Sequence, residues 1–444
     1  MEIKGKSFGI IGMARSGLAA AKKIRQCGGV AYLSDNAKQD NIPSAKEILR
    51  EYDCEFGGHS ERLLQNDMLI VSPGVPLSIP IIQKAFRKKM SVISEIEFGY
   101  RIKHPESRII AVSGSNGKST TVSLIHHILA SSGRKSILAG NIGNPLSSYP
   151  IEKSGIEYIV LELSSFQLEL IEQFHAEIAI LLNITPDHMD RYDNFAAYRK
   201  AKFNIFINQT DNDLAILNAD DPSIKDNMPQ LKSRIRLFSS ERKADCYWDN
   251  NRLICGVSSY SIENTNLRGR HNFANMMAAI LTAEELDVSH AAIQQAIESF
   301  KPLPHRLEYL ETIKGVKFYN DSKATNTESV KQALRAFDTP IRIIMGGAGK
   351  GEDYSALNPL LADHAKKIYL YGESQDEMAR SFPIEIAREK FVSFKSAIRK
   401  AFQDSEARDC IVLSPAATSF DLFKNYEHRG EVFRQIVMEL KNES

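Results

Sequence analysis

The chain reads as an α/β protein in which parallel sheets are covered by helices. Three observations predict this. Apolar runs of strand length alternate with helical patterns along most of the sequence. Two strand-to-helix junctions carry glycine turns, at residues 12–17 and 114–117. The length, 444 residues, is enough for two or three domains, each with its own core.

The first segment, 1–97, opens with a strand at 7–12, a glycine turn and an Ala-rich helix. A second strand at 30–34 ends in Asp35, and a third at 68–72 is closed by Pro73-Gly74, a turn signal. The turn Gly12-Met-Ala-Arg-Ser-Gly17 nearly matches the dinucleotide fingerprint, with Ala14 at the middle position and Asp35 at a plausible ribose distance. The match is weak. It fits a nucleotide-like ligand better than a purely structural turn, and it leaves the base open.

The second segment, 98–302, holds the most informative stretch of the chain. Strand 108–113 runs into Gly114-Ser-Asn-Gly-Lys-Ser-Thr120, and an amphipathic helix follows at once. Backbone N–H groups of such a loop close around a phosphate, Lys118 reaches the terminal phosphates, and the Ser119 hydroxyl suits Mg²⁺. The helix adds the positive end of its dipole. The longer pattern asks for glycine where Val112 stands, so only the short Gly-x-x-Gly-Lys-Ser form remains. Further strands fall at 158–163 and 178–184, and a helix at 194–208. The stretch 214–260 reads as irregular and partly β, and an Ala-rich helix covers 272–285.

Three residues of this segment add to the loop. Glu162 is an acid inside an apolar strand, costly to bury without a cation or donor. It reads as a Mg²⁺ ligand in preference to a charge pointing out from an edge strand. His188 follows a buried strand; a structural histidine is the ordinary reading, and its place after that strand favours a ligand or positioning role. Lys202 falls in the middle of the apolar arc formed by Phe195, Tyr198 and Phe206. Snorkelling to solvent or an ordinary salt bridge ranks first for it. If it is held inside, its pKa falls, and the neutral amine can take up carbon dioxide as a carbamate suited to a metal.

The third segment, 303–444, follows the linker-like Lys301-Pro-Leu-Pro-His305 and alternates again: strands at 316–319, 342–345, 367–371 and 411–413, helices at 327–337 and 397–403. Charged residues are 25% of the chain and the formal net charge is +1, which argues against a nucleic-acid partner. Five scattered cysteines without C-x-x-C spacing read as ordinary buried thiols, not disulfides or a zinc site. No apolar run approaches the roughly 18 residues that span a bilayer. A cytoplasmic, membrane-free protein is expected.

The motifs Gly114–Thr120, Leu161-Glu-Leu-Ser-Ser-Phe-Gln167, Asp187-His-Met-Asp-Arg-Tyr192, Arg270-His-Asn272 and Leu303-Pro-His-Arg306 occur in the order and spacing of the Mur ligase family, which the chain resembles from the first glycine turn to the C-terminal helix. These are ATP-dependent amide-bond synthetases of peptidoglycan assembly. Within the family, Asn320-Asp-Ser-Lys-Ala-Thr-Asn326 and Leu413-Ser-Pro-Ala-Ala-Thr-Ser-Phe-Asp421 look like the D-glutamate-adding member. The resemblance implies a Rossmann-like N-terminal domain, a central ATPase domain of phosphate-loop type with a mixed sheet, and a Rossmann-like C-terminal domain. It implies the substrates ATP, UDP-N-acetylmuramoyl-L-alanine and D-glutamate, and a monomer.

Residue by residue, it implies that Gly114, Ser115, Asn116, Gly117, Lys118, Ser119 and Thr120 hold the ATP phosphates. Two Mg²⁺ are implied, with Ser119, Glu162, His188 and a carbamylated Lys202 as ligands. Asn272, His305, Arg306 and Asp321 match positions for adenosine or its phosphates. Lys323, Thr325, Lys350, Ser419 and Phe420 align with the region that receives D-glutamate. Asn141 resembles the muramoyl contact, and Gly12, Ser16, Asp35, Asn36, Ser72 and Gly74 the uridine diphosphate site. Two departures stand out: Ala348 where related sequences often carry Asp, and Ser119 where Thr is common. Rivals to this reading are another Mur-type or folylpolyglutamate-type ligase, a nucleotide-driven binding protein, and a nicotinamide dehydrogenase using the first glycine turn. The ligase reading carries the expectation that the third domain closes when ATP binds.

Overall fold

The computed structural model describes residues 1–444 except Pro43, His188, Met189, Asp190, Arg268, Pro302, Asp338, Lys350 and Ser444. It contains three sheets, each built from one segment of the chain. The first is parallel, in the order β3-β2-β1-β4-β5, from β1 (Ser7–Ile11), β2 (Val30–Asp35), β3 (Asp53–Phe56), β4 (Met68–Val71) and β5 (Ser91–Ser94). Side chains alternate across it. Ile10 and Ile70 face the Ala20, Ala21 and Ile24 stripe of the helix Arg15–Gln26, while Ile11 and Val71 face Ile81, Ile82 and Ala85 of Pro80–Arg87. Both faces are therefore covered, and the order reverses between β1 and β4.

The second sheet has nine strands: β6 (Arg108–Ser113), β7 (Ser136–Gly140), β8 (Tyr158–Glu162), β9 (Ile178–Leu181), β10 (Leu214–Asn218), β11 (Arg234–Ser239), β12 (Cys246–Asp249), β13 (Arg252–Cys255) and β14 (Ser258–Ser261), in the order β14-β13-β12-β11-β10-β9-β6-β8-β7. It is parallel from β7 to β12 and antiparallel over β12–β14, so it is mixed. The expected irregular stretch 214–260 is in fact five strands of this sheet. β10 is a buried apolar run that the reading passed over, whereas β11 to β14 are short and carry polar positions open to solvent, which hides their period. The cysteine expectation is also corrected. The β12–β13 register sets Cys246 opposite Cys255 and a disulfide joins them, whereas Cys27, Cys54 and Cys410 are free. Pairing across a hairpin depends on register, which a spacing rule does not report.

The third sheet, in the order β15-β16-β20-β17-β18-β19, uses β15 (Glu308–Ile313), β16 (Val316–Asn320), β17 (Ile341–Gly346), β18 (Ala365–Tyr371), β19 (Arg388–Lys390) and β20 (Cys410–Leu413). Only β15 is antiparallel to its neighbour. Ile343, Met345 and Val412 pack on one face with Val330, Leu361 and Met378, and Ile344, Ile411 and Leu413 on the other with Ile398, Phe433 and Val437.

By density of contacts the chain forms two compact units, Met1–Thr265 with Phe273–Ser299, and Asn266–Asn272 with Phe300–Ser444. In the first unit the helix Glu95–Ile102 ties the first two sheets together. The buried Glu97 carboxylate accepts backbone N–H bonds from Glu172, Gln173 and Phe174 at 2.9, 3.0 and 2.8 Å and is paired with Arg101 at 2.6 Å. Among the described residues no helix is long and apolar enough to cross a membrane.

Candidate active site

β6 ends the apolar strand, and the loop after it turns sharply through Gly114 and Gly117 into the helix Lys118–Ser131. Gly117 has φ +86°, and a Cβ there would stand 2.3 Å from Asn275 Oδ1, so both backbone and neighbour require glycine. The loop is clamped from one side by the segment after β9. Asn116 N donates to Asn183 Oδ1 at 2.8 Å, Asn183 Nδ2 returns a bond to Asn116 O at 3.0 Å, and Thr185 N donates to Ser115 Oγ at 3.0 Å. Lys118 Nζ folds back on the carbonyls of Gly114 and Ser115 at 2.7 and 2.8 Å, while Ser119 and Thr120 are buried in the first helical turn. Val112, where the longer pattern wants glycine, is a buried mid-sheet residue paired with Glu162 and Ile180, so its side chain packs inside the sheet.

Glu162 closes β8, an interior strand, and is buried beside the loop. Asn141 Nδ2 donates to its Oε1 at 2.8 Å. The edge-strand reading of this acid is thereby excluded. Lys202 is 2% exposed, so it does not snorkel; its Nζ donates to Gly114 O at 2.9 Å and lies over the Tyr198 ring. The reason is its face. The helix Phe195–Phe203 turns Tyr198 and Lys202 together toward the phosphate loop, and Tyr198 OH meets Ser115 Oγ at 3.0 Å. Burial, and then the Lys118 ammonium, push the Lys202 amine well below the ordinary lysine range, with Asp187 and Glu162 pulling the other way. The structure thus joins Lys118, Ser119, Glu162, Asn141 and Lys202 in one place. His188 lies outside the described residues.

In the first sheet the glycine turn after β1 and the loop after β4 flank the reversal of strand order, where open α/β sheets take ligands. A Cβ on Gly17 would fall 1.9 Å from Gly12 O, and Ser72 Oγ donates to that carbonyl at 3.0 Å. Asp35 accepts from Met13 N at 2.7 Å and Ala37 N at 2.8 Å, so it also fastens the turn to the end of β2. Asn36 and Gly74 sit on the loops after β2 and β4 and Ser16 in the first turn of the helix Arg15–Gln26, all partly or fully exposed.

The second unit gathers polar residues at the ends of β16, β17 and β20. His305, 6% exposed, has Nδ1 2.9 Å from Asn320 Nδ2, and burial keeps it below the usual histidine range. Asp321 accepts from Ser414 Oγ at 2.8 Å and from Leu307 N at 3.2 Å; burial pushes its carboxyl up to about 7, against the pull of Arg306 and Arg429. Lys323 lies over the Tyr426 ring, Thr325 follows on the same loop, Ser419 is buried and Phe420 is exposed. Asn272 belongs to this unit at the start of the helix Arg270–Glu285, with His271 beside it held near pKa 4 by burial. Ala348 is fixed by its backbone alone, exchanging N–H···O bonds of 3.0 Å with Thr418. Lys350 lies outside the described residues.

Sequence reasoning missed the residue that holds these loops together. Arg429, on the helix Tyr426–Asn442, is fully buried. It donates to Ser322 Oγ at 3.0 Å, Ser322 O at 2.8 Å, and the carbonyls of Ala417 and Thr418 at 3.1 Å each. The signal was present: Arg429, Phe433, Ile436, Val437 and Leu440 form one buried stripe, and a cation on such a stripe is as unusual as Lys202 on its own.

Comparison with known proteins follows the same three parts. Residues 6–94 match the Mur ligase MurD-like N-terminal domain, 112–283 the Mur ligase middle domain, and 305–417 the Mur ligase glutamate ligase domain. The UDP-N-acetylmuramoylalanine–D-glutamate ligase of Salinibacter ruber is 38% identical over 98% of this chain and 98% of its own. The enzyme of that name from Koribacter versatilis is 36% identical over 99% of both. Among solved structures, a MurF ligase from Thermotoga maritima in complex with ADP has a TM-score of 0.64 at 16% identity, covering 94% of this chain and 96% of that one. A pseudomurein peptide ligase type C from Methanothermus fervidus has 0.63 at 17%, covering 98% and 100%; both likenesses concern the fold. Matched by its domains in all three segments and by relatives over its whole length, the chain belongs to the Mur ligase family.

Proposed function

We propose that the protein is an ATP-dependent ligase that joins D-glutamate to UDP-N-acetylmuramoyl-L-alanine and releases ADP and phosphate. The observation that carries this reading is the full-length identity to D-glutamate ligases, together with a phosphate loop that has Glu162 and a buried Lys202 at its side. Joining a carboxylate to an amine in water is uphill. The L-alanyl carboxylate oxygen bonds the γ-phosphorus of ATP and ADP leaves; the D-glutamate nitrogen then bonds the acyl carbon, and phosphate leaves. Both steps gather negative charge, so positioning and electrostatic stabilisation carry the rate.

In this reading Gly114 to Thr120 cradle the phosphates, and Lys118 exchanges its two loop carbonyls for phosphate oxygens. The donors fit Mg²⁺: a buried hydroxyl on Ser119, a buried carboxylate on Glu162, and, with His188, an amine on Lys202 that burial keeps able to shed its proton and accept carbon dioxide. Mg²⁺ bound there would neutralise phosphate charge and draw electrons from the γ-phosphorus. Glu162 is held for that task by Asn141, which also reaches toward the muramoyl part. Gly12, Ser16, Asp35, Asn36, Ser72 and Gly74 take the uridine diphosphate. Asn272, His305, Arg306 and Asp321 take the adenosine or its phosphates, and Lys323, Thr325, Lys350, Ser419 and Phe420 the incoming D-glutamate. Division into domains at 97/98 and 302/303, a monomer and a cytoplasmic location belong to the same reading.

Phosphate release from ATP with UDP-N-acetylmuramoyl-L-alanine tests the proposal when D-glutamate, L-glutamate or L-lysine is offered. Release is expected with D-glutamate alone. Equal release with all three, or none with any, would overturn it.

A further inference from the structure

The segment that follows β9 touches two ligand loops of the first unit. Its near end grips the phosphate loop, through Asn183 on Asn116 and Thr185 on Ser115. Its far end carries Arg191, which reaches the loop after β4. Arg191 Nη1 donates to Pro73 O at 2.7 Å and Nη2 to Val75 O at 3.1 Å. The guanidinium also lies 4.0 Å from the centroid of the Phe166 ring and pairs with Glu169 Oε2 at 3.3 Å. The ring face and the carboxylate fix the planar fork before it meets the two carbonyls. Pro73 and Val75 bracket Gly74, at the reversal of strand order between β1 and β4.

We infer that Arg191 is a positioning residue that gauges the length of the carboxylate substrate. The inference rests on the ligase reading. A substrate anchored by its diphosphate at the β4 loop must present its carboxylate at the phosphate loop, and reach depends on the separation of those loops. Arg191 ties the β4 loop to Phe166 and Glu169, which follow Glu162 at the end of β8 beside the phosphate loop. A substrate one amino-acid residue shorter or longer would then miss the phosphorus by several ångströms, enough to prevent attack. Lysine in place of Arg191 keeps the charge but loses the planar fork, so it cannot hold both carbonyls in one geometry.

The test compares wild type, Arg191→Lys and Arg191→Met on UDP-N-acetylmuramate, UDP-N-acetylmuramoyl-L-alanine and its one-residue-longer homologue, with ADP affinity measured alongside by calorimetry. Arg191→Lys is expected to raise KM for the L-alanyl substrate about tenfold, the order of losing one charge-assisted bond. Its preference for that substrate over the shorter and longer ones should fall by a similar factor, with ADP affinity within twofold of wild type. An unchanged preference, or ADP affinity falling in step with KM, would overturn the inference. Glu169→Gln, which spares both carbonyl bonds, should move the same ratio less, and no movement in either variant also counts against it. Wild type that fails on the L-alanyl substrate would instead bring down the ligase reading itself.

Discussion

The phosphate loop and the loop cluster of the third sheet both place polar groups at the carboxyl ends of parallel strands, and each has a buried cation behind it. At the phosphate loop the cation is Lys202, donating to Gly114 O. In the third sheet it is Arg429, donating to Ser322, Ala417 and Thr418. The chemistry of the two heads explains the difference. An amine gives up its proton more readily when buried, so one carbonyl and an aromatic face suffice beside the phosphate loop. A guanidinium stays charged and must be solvated by the protein, so it collects carbonyls and a hydroxyl from separate loops and becomes a strut. A lysine makes a site that can be modified; an arginine makes one that is held.

Substitutions at the two cations should separate these roles. Lys202→Met is expected to lower ligation by about a hundredfold or more, the scale of losing a preorganised charged group at a transition state. Stability should respond in the other direction. Between the lowered native pKa and the ordinary lysine range the unfolded chain holds a proton that the native one lacks, so wild type loses stability as pH falls through that window. Tm measured against pH should show that slope in wild type and not in Lys202→Met, and restoration of activity by a short carboxylic acid in Lys202→Ala, which leaves it room, would support the carbamate.

Arg429→Met should act mainly on stability. Leaving several buried acceptors without a donor costs about 2–4 kcal/mol, read from urea unfolding. With the loops released, KM for D-glutamate should rise while ADP affinity changes little; equal losses in both would contradict a strut for the acceptor loops. Asp321→Asn is a smaller change with a defined sign. Because the native carboxyl sits near 7, above its ordinary 3.8, the native state keeps a proton that the unfolded state has lost, and wild type becomes less stable as pH rises between those values. Asp321→Asn should abolish that fall, so its Tm relative to wild type should be higher at pH 8 than at pH 5. The smallest effect is expected at a partly exposed ion-pair network of the third sheet. Asp404, lowered to about 2 by Lys367, Lys400 and Tyr369 despite partial burial, lends stability above pH 4 that is lost as pH falls toward 2. Asp404→Asn should cost less than about 1 kcal/mol at pH 7, being a surface network, and leave ligation unchanged.

The same contrast shows what could be read from the chain. The phosphate loop is seven consecutive residues after an apolar strand, and local geometry follows from local sequence. The strands and helices that periodicity placed in the first and third segments fell within a few residues of it, but β3, β5, β15 and β19 were not placed at all. The polar-edged strands β11 to β14 escaped, because most of their residues are only partly buried and the alternation is weak. Glu162 was legible as an acid in an apolar run, and Lys202 as a lysine on an apolar arc. Whether that lysine turned inward was not, since a four-carbon stem can lead its head either way. Arg429 carried the same signal, but nothing near it in sequence says which loops it meets.

The alternation of strand and helix, the phosphate loop and the family motifs were legible in the chain, because each depends on residues close together along it. Packing settled the rest: Lys202 is buried against Gly114, Cys246 faces Cys255, Arg429 joins two loops, and Arg191 reaches the β4 loop. Each of these contacts joins residues whose separation is set by strand order, register or helix rotation. Those are properties of packing, which no short stretch of residues specifies.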